Sequence, residues 1–179
     1  MCLALEIRLK LTDKELVESA RNGDTDSFRI LYERHWAMAV SLACSRLRDR
    51  HLAEDVAQDS FVVACRQLPT LKDGDRFPQW LGTIVRRVAS SAQTSNQKSV
   101  ELLSEPATEN KDACIHDELR SAIGQLSTAQ QEVVYLRYFG DLSYEEIAKA
   151  TATTTGSVHG LLQRARIKLA KDLGKLSNR

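Results

Sequence analysis

From Leu11 onward the apolar positions of this chain recur at steps of three and four, and polar signals cut the pattern into helix-length pieces. Thr12 with Glu15 has capping-box spacing and predicts a helix running to about Asn22, where Gly23 ends it. Asp24 or Thr25 starts a second, longer helix with Phe28, Leu31, Trp36, Val40 and Leu47 among its apolar positions. Asp49 suits the cap of a third, Leu52 to Leu68, before Pro69. Its core stripe is Ala57, Phe61, Ala64 and Leu68, with Val56, Val63 and Gln67 on a second side and Asp55, Gln58 and Asp59 facing solvent. Pro69 to Arg76 reads as a loop from its Pro, Gly and Asp content. A fourth helix, Phe77 to Thr94, turns Trp80, Leu81, Ile84, Val85 and Val88 inward and carries Arg86 and Arg87 beside that stripe.

The pattern then lapses. Gln93 to Asp112 is polar, holds Pro106 and sustains no period, so it reads as a linker. Helices resume at about Asp117 to Leu126, and Ser127 with Gln130 caps the next, which carries Val133, Val134, Leu136 and Tyr138 and stops at Gly140. Leu142 to Leu173 predicts two helices joined by a turn. Ser143 and Glu146 cap the first, and Ile147 and Ala148 supply its buried face. A cluster of threonines, Thr151 and Thr153 to Thr155, suits a turn and an N-cap. The second helix places Val158, Leu162, Ala165, Leu169 and Leu173 on one stripe, with Arg164, Arg166, Lys168 and Lys171 on other faces. A short helix, a turn and a longer basic helix is the outline of a helix-turn-helix reader of the major groove. A plain helical hairpin with a solvated basic face has the same pattern. No segment asks for a β-strand, so the fold class is all-α.

Composition narrows the field. The 179 residues are 42% hydrophobic and 27% charged, ordinary for a globular protein, and the net charge is +1. The charge is unevenly spread: Ser143 to Arg179 holds seven Lys/Arg against three Asp/Glu, while Ser99 to His116 holds one Lys against four acids. A basic end joined to an acidic connector suits a nucleic-acid binder. No apolar run reaches membrane-spanning length and the first ten residues lack a signal peptide's apolar core, so membrane insertion is not expected and a cytoplasmic location is. Cys2, Cys44, Cys65 and Cys114 show no C-x-x-C spacing; Cys114 and His116 are half of a metal set that nothing nearby completes. No Gly-rich phosphate loop or nucleophile constellation supports an enzyme, and no cofactor is expected.

Two blocks, in order and at matching separation, resemble one family. Ala53–Leu68 (AEDVAQDSFVVACRQL) with Phe77–Ala89 (FPQWLGTIVRRVA) resembles the second conserved region of bacterial sigma factors, and Phe28–His35 fits the same pattern. Leu126–Ala150 (LSTAQQEVVYLRYFGDLSYEEIAKA) with Gly156–Leu169 (GSVHGLLQRARIKL) resembles their fourth region. The short segment between them matches the extracytoplasmic-function group, the small two-domain sigma factors. The resemblance implies a second-region domain over residues 1–95, a linker over 96–113 and a fourth-region domain over 114–179.

It also implies a function and a set of sites. Members bind core RNA polymerase, through its clamp helices and flap, and direct it to promoter DNA; many are held by an anti-sigma factor. By resemblance Glu54, Asp55, Gln58 and Asp59 dock on the clamp helices. The Pro69–Arg76 loop, with Lys72, Asp73 and Arg76, holds a flipped promoter-proximal base, and Arg86 and Arg87 bind phosphates near it. Thr154, Thr155, Ser157, His159 and Gln163 meet base edges of the distal element, while Arg164 and Arg166 hold its phosphates. The linker passes near nascent RNA in the family, where its acidity either imitates nucleic acid or merely keeps a tether soluble.

The chain departs from the family in places. Arg87 stands at a usual Asn, Ser91, Thr94 and Ser95 at later polar or basic positions, Ala152 at a usual Gly, Thr153 at a usual aliphatic, and His159 and Leu161 at usual cations. Fewer fixed cations imply weaker intrinsic DNA affinity. A sigma-like adaptor that sequesters an anti-sigma protein, and a stand-alone helix-turn-helix regulator, are the competing readings; the reduced basic content favours the adaptor but no receiver-like α/β pattern accompanies it, and the motif Ala53–Leu68 argues against the regulator.

Overall fold

The computed structural model describes residues 11–47, 49–100 and 119–176, and among these every regular element is helical. Helix α1 (Asp13–Arg21) begins at the expected capping box: the Thr12 hydroxyl accepts from the Glu15 N–H at 3.3 Å, and the Glu15 carboxylate accepts from the Thr12 N–H at 2.7 Å. It ends before Gly23, whose φ of 93° turns the chain. Helix α2 (Thr25–Leu47) is the axis of the molecule. Ile30, Leu31, Met38, Ala39, Leu42 and Ala43 are buried, and so are Ser27, His35, Ser41 and Ser45. A helix covered on several sides carries no single apolar stripe, and its small polar positions are where other helices come close.

Helix α3 (Arg50–Gln67) is capped by the Asp49 carboxylate, which accepts from the Leu52 N–H at 3.1 Å. It buries Ala53, Val56, Ala57, Phe61 and Ala64 against α2 and α4. Tyr32 of α2 bridges Trp36 and Phe61, with ring centroids 5.0 and 4.7 Å away. Asp13 ties α1 to α2. Its carboxylate sits 2.9 Å from His35 Nε2 and accepts from Arg34 Nη1 at 2.6 Å. Burial alone would raise the Asp13 carboxyl, but the hydrogen bonds and charges of His35 and Arg34 together outweigh it and hold the group below its ordinary value. A lowered carboxyl stabilises the fold above its ordinary range, and that contribution is lost as acid titrates it.

The segment expected as a loop is two tight turns, 3₁₀ in form, Leu68–Thr70 and Gly74–Arg76. Helix α4 (Phe77–Val100) follows and runs on through residues expected to be linker. The Ser90, Ser91 and Thr94 hydroxyls donate back to the carbonyls of Arg86, Arg87 and Ser90, so these polar side chains ride along the helix and need not leave it. No Gly or Pro occurs between Pro78 and Pro106 except Gly82, so nothing in the sequence stops the helix at Thr94. Trp80 is half-buried beside Phe77, at 5.9 Å between ring centroids, and not fully in the core.

Residues 119–124 are helical and lead to α5 (Thr128–Tyr138), whose capping box joins Ser127 and Gln130 as expected. Leu126, Val133, Val134 and Leu136 enter the core, but Tyr138 turns outward, and Tyr135, Gln131 and Glu132 are buried in addition. Helix α6 (Tyr144–Thr151) is capped by Ser143 and Glu146, and helix α7 (Thr155–Leu176) completes the pair. Ile147, Val158, Leu162 and Ala165 join them. Helix α5 packs on α2 and α6 on α4, so one apolar cluster runs through both halves of the chain.

The turn between α6 and α7 rests on Ala152 in the left-handed region, φ 57° and ψ 39°. A Cβ there meets the following carbonyl, which costs roughly 1–2 kcal/mol in a left-handed residue and nothing in glycine. Ala152→Gly is therefore expected to stabilise the protein by about 0.5–1 kcal/mol after the added unfolded-chain entropy of glycine. Urea unfolding measures it; a stability equal to or below wild type would show that the residue is unstrained.

Candidate nucleic-acid and protein interfaces

The outer face of α3 is the first of three surfaces. Asp55, Gln58 and Asp59 are exposed and adjacent at helical spacing. Glu54 stands at the edge of this group, half-buried, and accepts from Arg50 Nε at 2.9 Å. Val62, 46% exposed, continues the row one turn beyond Gln58. Sequence reading passed over Val62 because its neighbour Val63 has the same chemistry, and periodicity alone cannot choose which of two adjacent valines faces out.

The second surface is the pair of tight turns before α4. Lys72, Asp73 and Arg76 are exposed on it. Asp73 caps the second turn by accepting from the Asp75 N–H at 3.1 Å, and its carboxylate lies 3.5 Å from Arg76 Nε. Buried Leu71 anchors the segment, and Gly74 lies so close to α1 that a Cβ there would sit 2.6 Å from the Lys14 Cα. Arg87 is exposed, as expected. Arg86 differs. It faces α5 and α6, donating through Nε to Glu132 Oε1 at 3.0 Å and through Nη2 to Glu132 Oε2 at 3.1 Å and to the Ala150 carbonyl at 3.3 Å.

The third surface is the start of α7. Thr154 is its N-cap: the Thr154 hydroxyl accepts from the Ser157 N–H at 3.2 Å and lies 3.0 Å from the Ser157 hydroxyl. Thr155, His159 and Gln163 are exposed, and Ile167, 63% exposed, extends the His159–Gln163 row by one turn. An isoleucine among Arg and Lys gave no signal from sequence. Arg164 folds back along the helix, so that a Cβ at Gly160 would meet its Nη1 at 3.4 Å. Long helical side chains point toward the N-terminus, and Gly160 leaves room for this one. Arg166 instead turns to α5, donating to the Tyr138 hydroxyl at 2.7 Å with its guanidinium 5.8 Å from the ring centre. Glu146 is held below the ordinary carboxylate range by the Ser143 N–H and hydroxyl, so the α6 cap stays charged at neutral pH.

A cleft of about 340 Å³ lies between the halves, bordered by Trp36, Cys44, Glu54, Leu119, Ile123 and Phe139. Burial pushes the Cys44 thiol up, which keeps it protonated and unreactive. Among the described residues no cluster of His, Cys, Asp and Glu could hold a metal ion, and Cys114 and His116 lie outside those residues. No helix among them is long and apolar enough to cross a membrane.

A capped helix-turn-helix packed on a helical module with an acidic, amide-bearing outer face defines a class: a helical DNA-reading protein built to dock on a larger partner. Comparison with known proteins makes this specific. Residues 31–99 match the family model of sigma-70 region 2, and residues 116–169 match that of sigma-70 region 4. An ECF RNA polymerase sigma-E factor of Salmonella typhimurium is 30% identical over 177 residues, 88% of this chain and 92% of that one. The RNA polymerase sigma factor YlaC of Bacillus subtilis is 29% identical over 84% of this chain and 94% of its own length. The sigma factor BldN of Streptomyces coelicolor is 28% identical, and the chain spans 64% of that protein. Among solved structures, CnrH in complex with the cytosolic domain of CnrY superposes with a TM-score of 0.64 at 26% identity, covering 91% of this chain and 97% of that one. The sigma factor RpoE of Bartonella quintana, at 23% identity and a TM-score of 0.54, shares the fold. The chain belongs to the sigma-70 family of transcription initiation factors, in its extracytoplasmic-function group, and its work is to bind RNA polymerase and direct it to promoters.

The geometry of Thr154 separates capping from reading. Thr154→Ala removes the side-chain acceptor of an N-cap and is expected to cost about 1 kcal/mol, whereas Thr155→Ala, one residue inside the helix, should change stability by less than about 0.5 kcal/mol. Thermal unfolding of the two variants measures the contrast; equal melting temperatures would remove Thr154 as the cap.

Proposed function

We propose that the protein reaches core polymerase through α3 and reads the promoter with two separate surfaces. The observation that carries this is the solvent-facing row of Asp55, Gln58 and Asp59, on the same chain as a capped helix-turn-helix. Charged and amide side chains in a row on the outer face of this helix are suited to a polar partner, here the polymerase clamp helices, with Glu54 at the rim and Val62 adding an apolar contact. Residues 1–95 form the docking and promoter-proximal unit, 96–113 the acidic linker and 114–179 the promoter-distal unit, which also meets the polymerase flap. Lys72, Asp73 and Arg76 on the tight turns hold the opened strand, with Arg86 and Arg87 binding phosphates. On α7, Thr155, His159 and Gln163 read base edges, with Thr154 and Ser157 at the helix start, and Arg164 and Arg166 bind phosphates. The protein works in the cytoplasm.

CnrH, a similar structure, is bound to the cytosolic domain of CnrY. That likeness, together with the apolar cleft between the halves, supports an anti-sigma protein as the regulatory partner here.

Run-off transcription with purified core polymerase tests the reading directly: the chain should confer initiation on a subset of promoters. The combined variant Asp55→Ala, Gln58→Ala should weaken the complex with core polymerase while shifting stability by no more than about 0.5 kcal/mol, since both side chains are on the surface. Core binding equal to wild type would move the docking site elsewhere.

The two kinds of contact on α7 are expected to separate in promoter selection from a randomised library. His159→Ala or Gln163→Ala in holoenzyme should change the preferred distal element, by about 1–3 kcal/mol at a contacted base pair. Arg164→Ala should weaken all sequences alike and lower the salt slope by about one unit. Unchanged selection and affinity in all three would mean that α7 is not the reader.

A further inference from the structure

The two tight turns that carry Lys72, Asp73 and Arg76 are fixed to α1 at both ends. At the first end, Arg21 in the last turn of α1 donates through Nε to the Leu68 carbonyl at 3.3 Å, and the same oxygen accepts from the Leu71 N–H at 3.2 Å. Leu68 is the C-cap of α3, where helix carbonyls lack partners of their own and a cation is favoured. At the second end, buried Gly74 lies against the α1 backbone: a Cβ added there would sit 2.6 Å from the Lys14 Cα and 3.3 Å from the Lys14 Cβ. Only glycine permits so close an approach, and it brings the root of the Lys14 side chain beside the turn. Helix α1 is itself held to α2 by the Asp13 pairs with Arg34 and His35 and by buried Leu16 and Val17, so Lys14 projects from a firm base.

Lys14 is exposed, and among the described residues it has no hydrogen-bond or ion-pair partner. Helix α1 gains nothing from its charge. A cation in the first turn opposes the helix dipole, and Asp13 and Glu15 on either side are the residues that suit that place. The neighbouring turns are short of positive charge. Their own charged residues are Lys72 and Arg76 against Asp73 and Asp75, which cancel. The Asp73 carboxylate, 3.5 Å from Arg76 Nε, also answers part of that cation's charge. A loop with no net charge exerts little long-range attraction on a phosphate chain. Behind it, Arg86 is occupied by Glu132 and the Ala150 carbonyl, which leaves Arg87 as the exposed cation of that pair.

We propose that Lys14 is a further promoter contact, its ammonium binding a backbone phosphate of the opened strand while the turns hold the base. The promoter-proximal surface then includes α1, which sequence order places 58 residues before the turn. The proposal rests on the reading of the turns as the strand-binding surface. A phosphate is the partner a lysine suits, since a compact cation on a flexible stem needs no fixed direction of approach. Such a contact adds affinity and sets the position of the strand without reading its sequence.

The test uses holoenzyme assembled from the full chain and core polymerase, on a promoter that the wild-type holoenzyme transcribes, with the proximal element opened beforehand as a mismatched bubble. Lys14→Ala should lower the slope of log affinity against log salt by about 0.7, the single-strand value for one phosphate, which over the decade below roughly 1 M weakens binding about fivefold. Lys14→Arg, which keeps the charge, should restore both affinity and slope. The side chain is on the surface, so the melting temperature of Lys14→Ala should match wild type, and its base preference at the proximal element should be the same. Arg76→Ala is the reference. If Arg76→Ala weakens binding to the bubble and Lys14→Ala does not, the α1 contact is overturned and the reading of the turns stands. If neither weakens it, the reading of the turns falls and the contact falls with it. An equal loss by Lys14→Ala on a duplex carrying the distal element alone would trace the effect to overall charge and overturn the contact. A changed base preference would make Lys14 a reader of sequence and overturn the assignment to phosphate.

Discussion

Two arginines from one half of the chain closing on a single glutamate of the other half determine how this molecule is put together. The side chains of Arg46, Arg86 and Glu132 are each less than one-third exposed, so their mutual attraction is little weakened by water or salt. None of the three can be left alone in that setting, because an isolated charge in a partly dry interface is strongly unfavourable. The position of α5 on α2 and of α6 on α4 is consequently coupled to charge as well as to apolar contact. Apolar surfaces slide; a bidentate ion pair and the close approaches of Gly82 to Ala150 and of Gly140 to Ser41 fix a register.

The local structure has a different origin. Nearly every helix begins where a side-chain oxygen can accept the first free N–H groups: Thr12, Asp49, Ser127, Ser143 and Thr154 all do so. Three of these are reciprocal boxes with Glu15, Gln130 and Glu146. Such devices act within four residues and are indifferent to what packs above them. They set element boundaries in both halves, and through Ser143 and Thr154 they set the geometry of the helix-turn-helix itself. Ala152, held at positive φ between those two caps, absorbs the strain of the turn.

Function then follows from what the core leaves over. Helix α3 spends its apolar residues on α2 and α4 and presents carboxylates and an amide outward, the face proposed above to meet polymerase. Helix α7 buries Val158, Leu162 and Ala165 and presents His159, Gln163 and Arg164 outward, with Arg166, Lys168 and Lys171 exposed further along. Under the proposed function, promoter binding depends on first joining polymerase, whose own contacts add to those that α7 makes.

What the sequence alone determined is what depends on near neighbours along the chain. The capping boxes, the core stripes, the helix-turn-helix outline and the exposed face of α3 were all legible, since each is set by residues three or four apart. The order and spacing of two motif blocks made the family legible as well. Tertiary structure decided the rest. Helix α4 runs on to Val100 through residues that read as linker, and the Ser90, Ser91 and Thr94 hydroxyls return to their own helix carbonyls, an option that composition does not distinguish from a linker. Tyr138, expected in the core, stands outside it beside Arg166, while Glu132, one of many acids in a charged sequence, is buried. Arg86 looked like its exposed neighbour Arg87 and proved to be committed to Glu132, 46 residues away. Periodicity reports which face of a helix is apolar; it carries no information about which distant charge a polar face will meet, because that choice is made only when the halves pack.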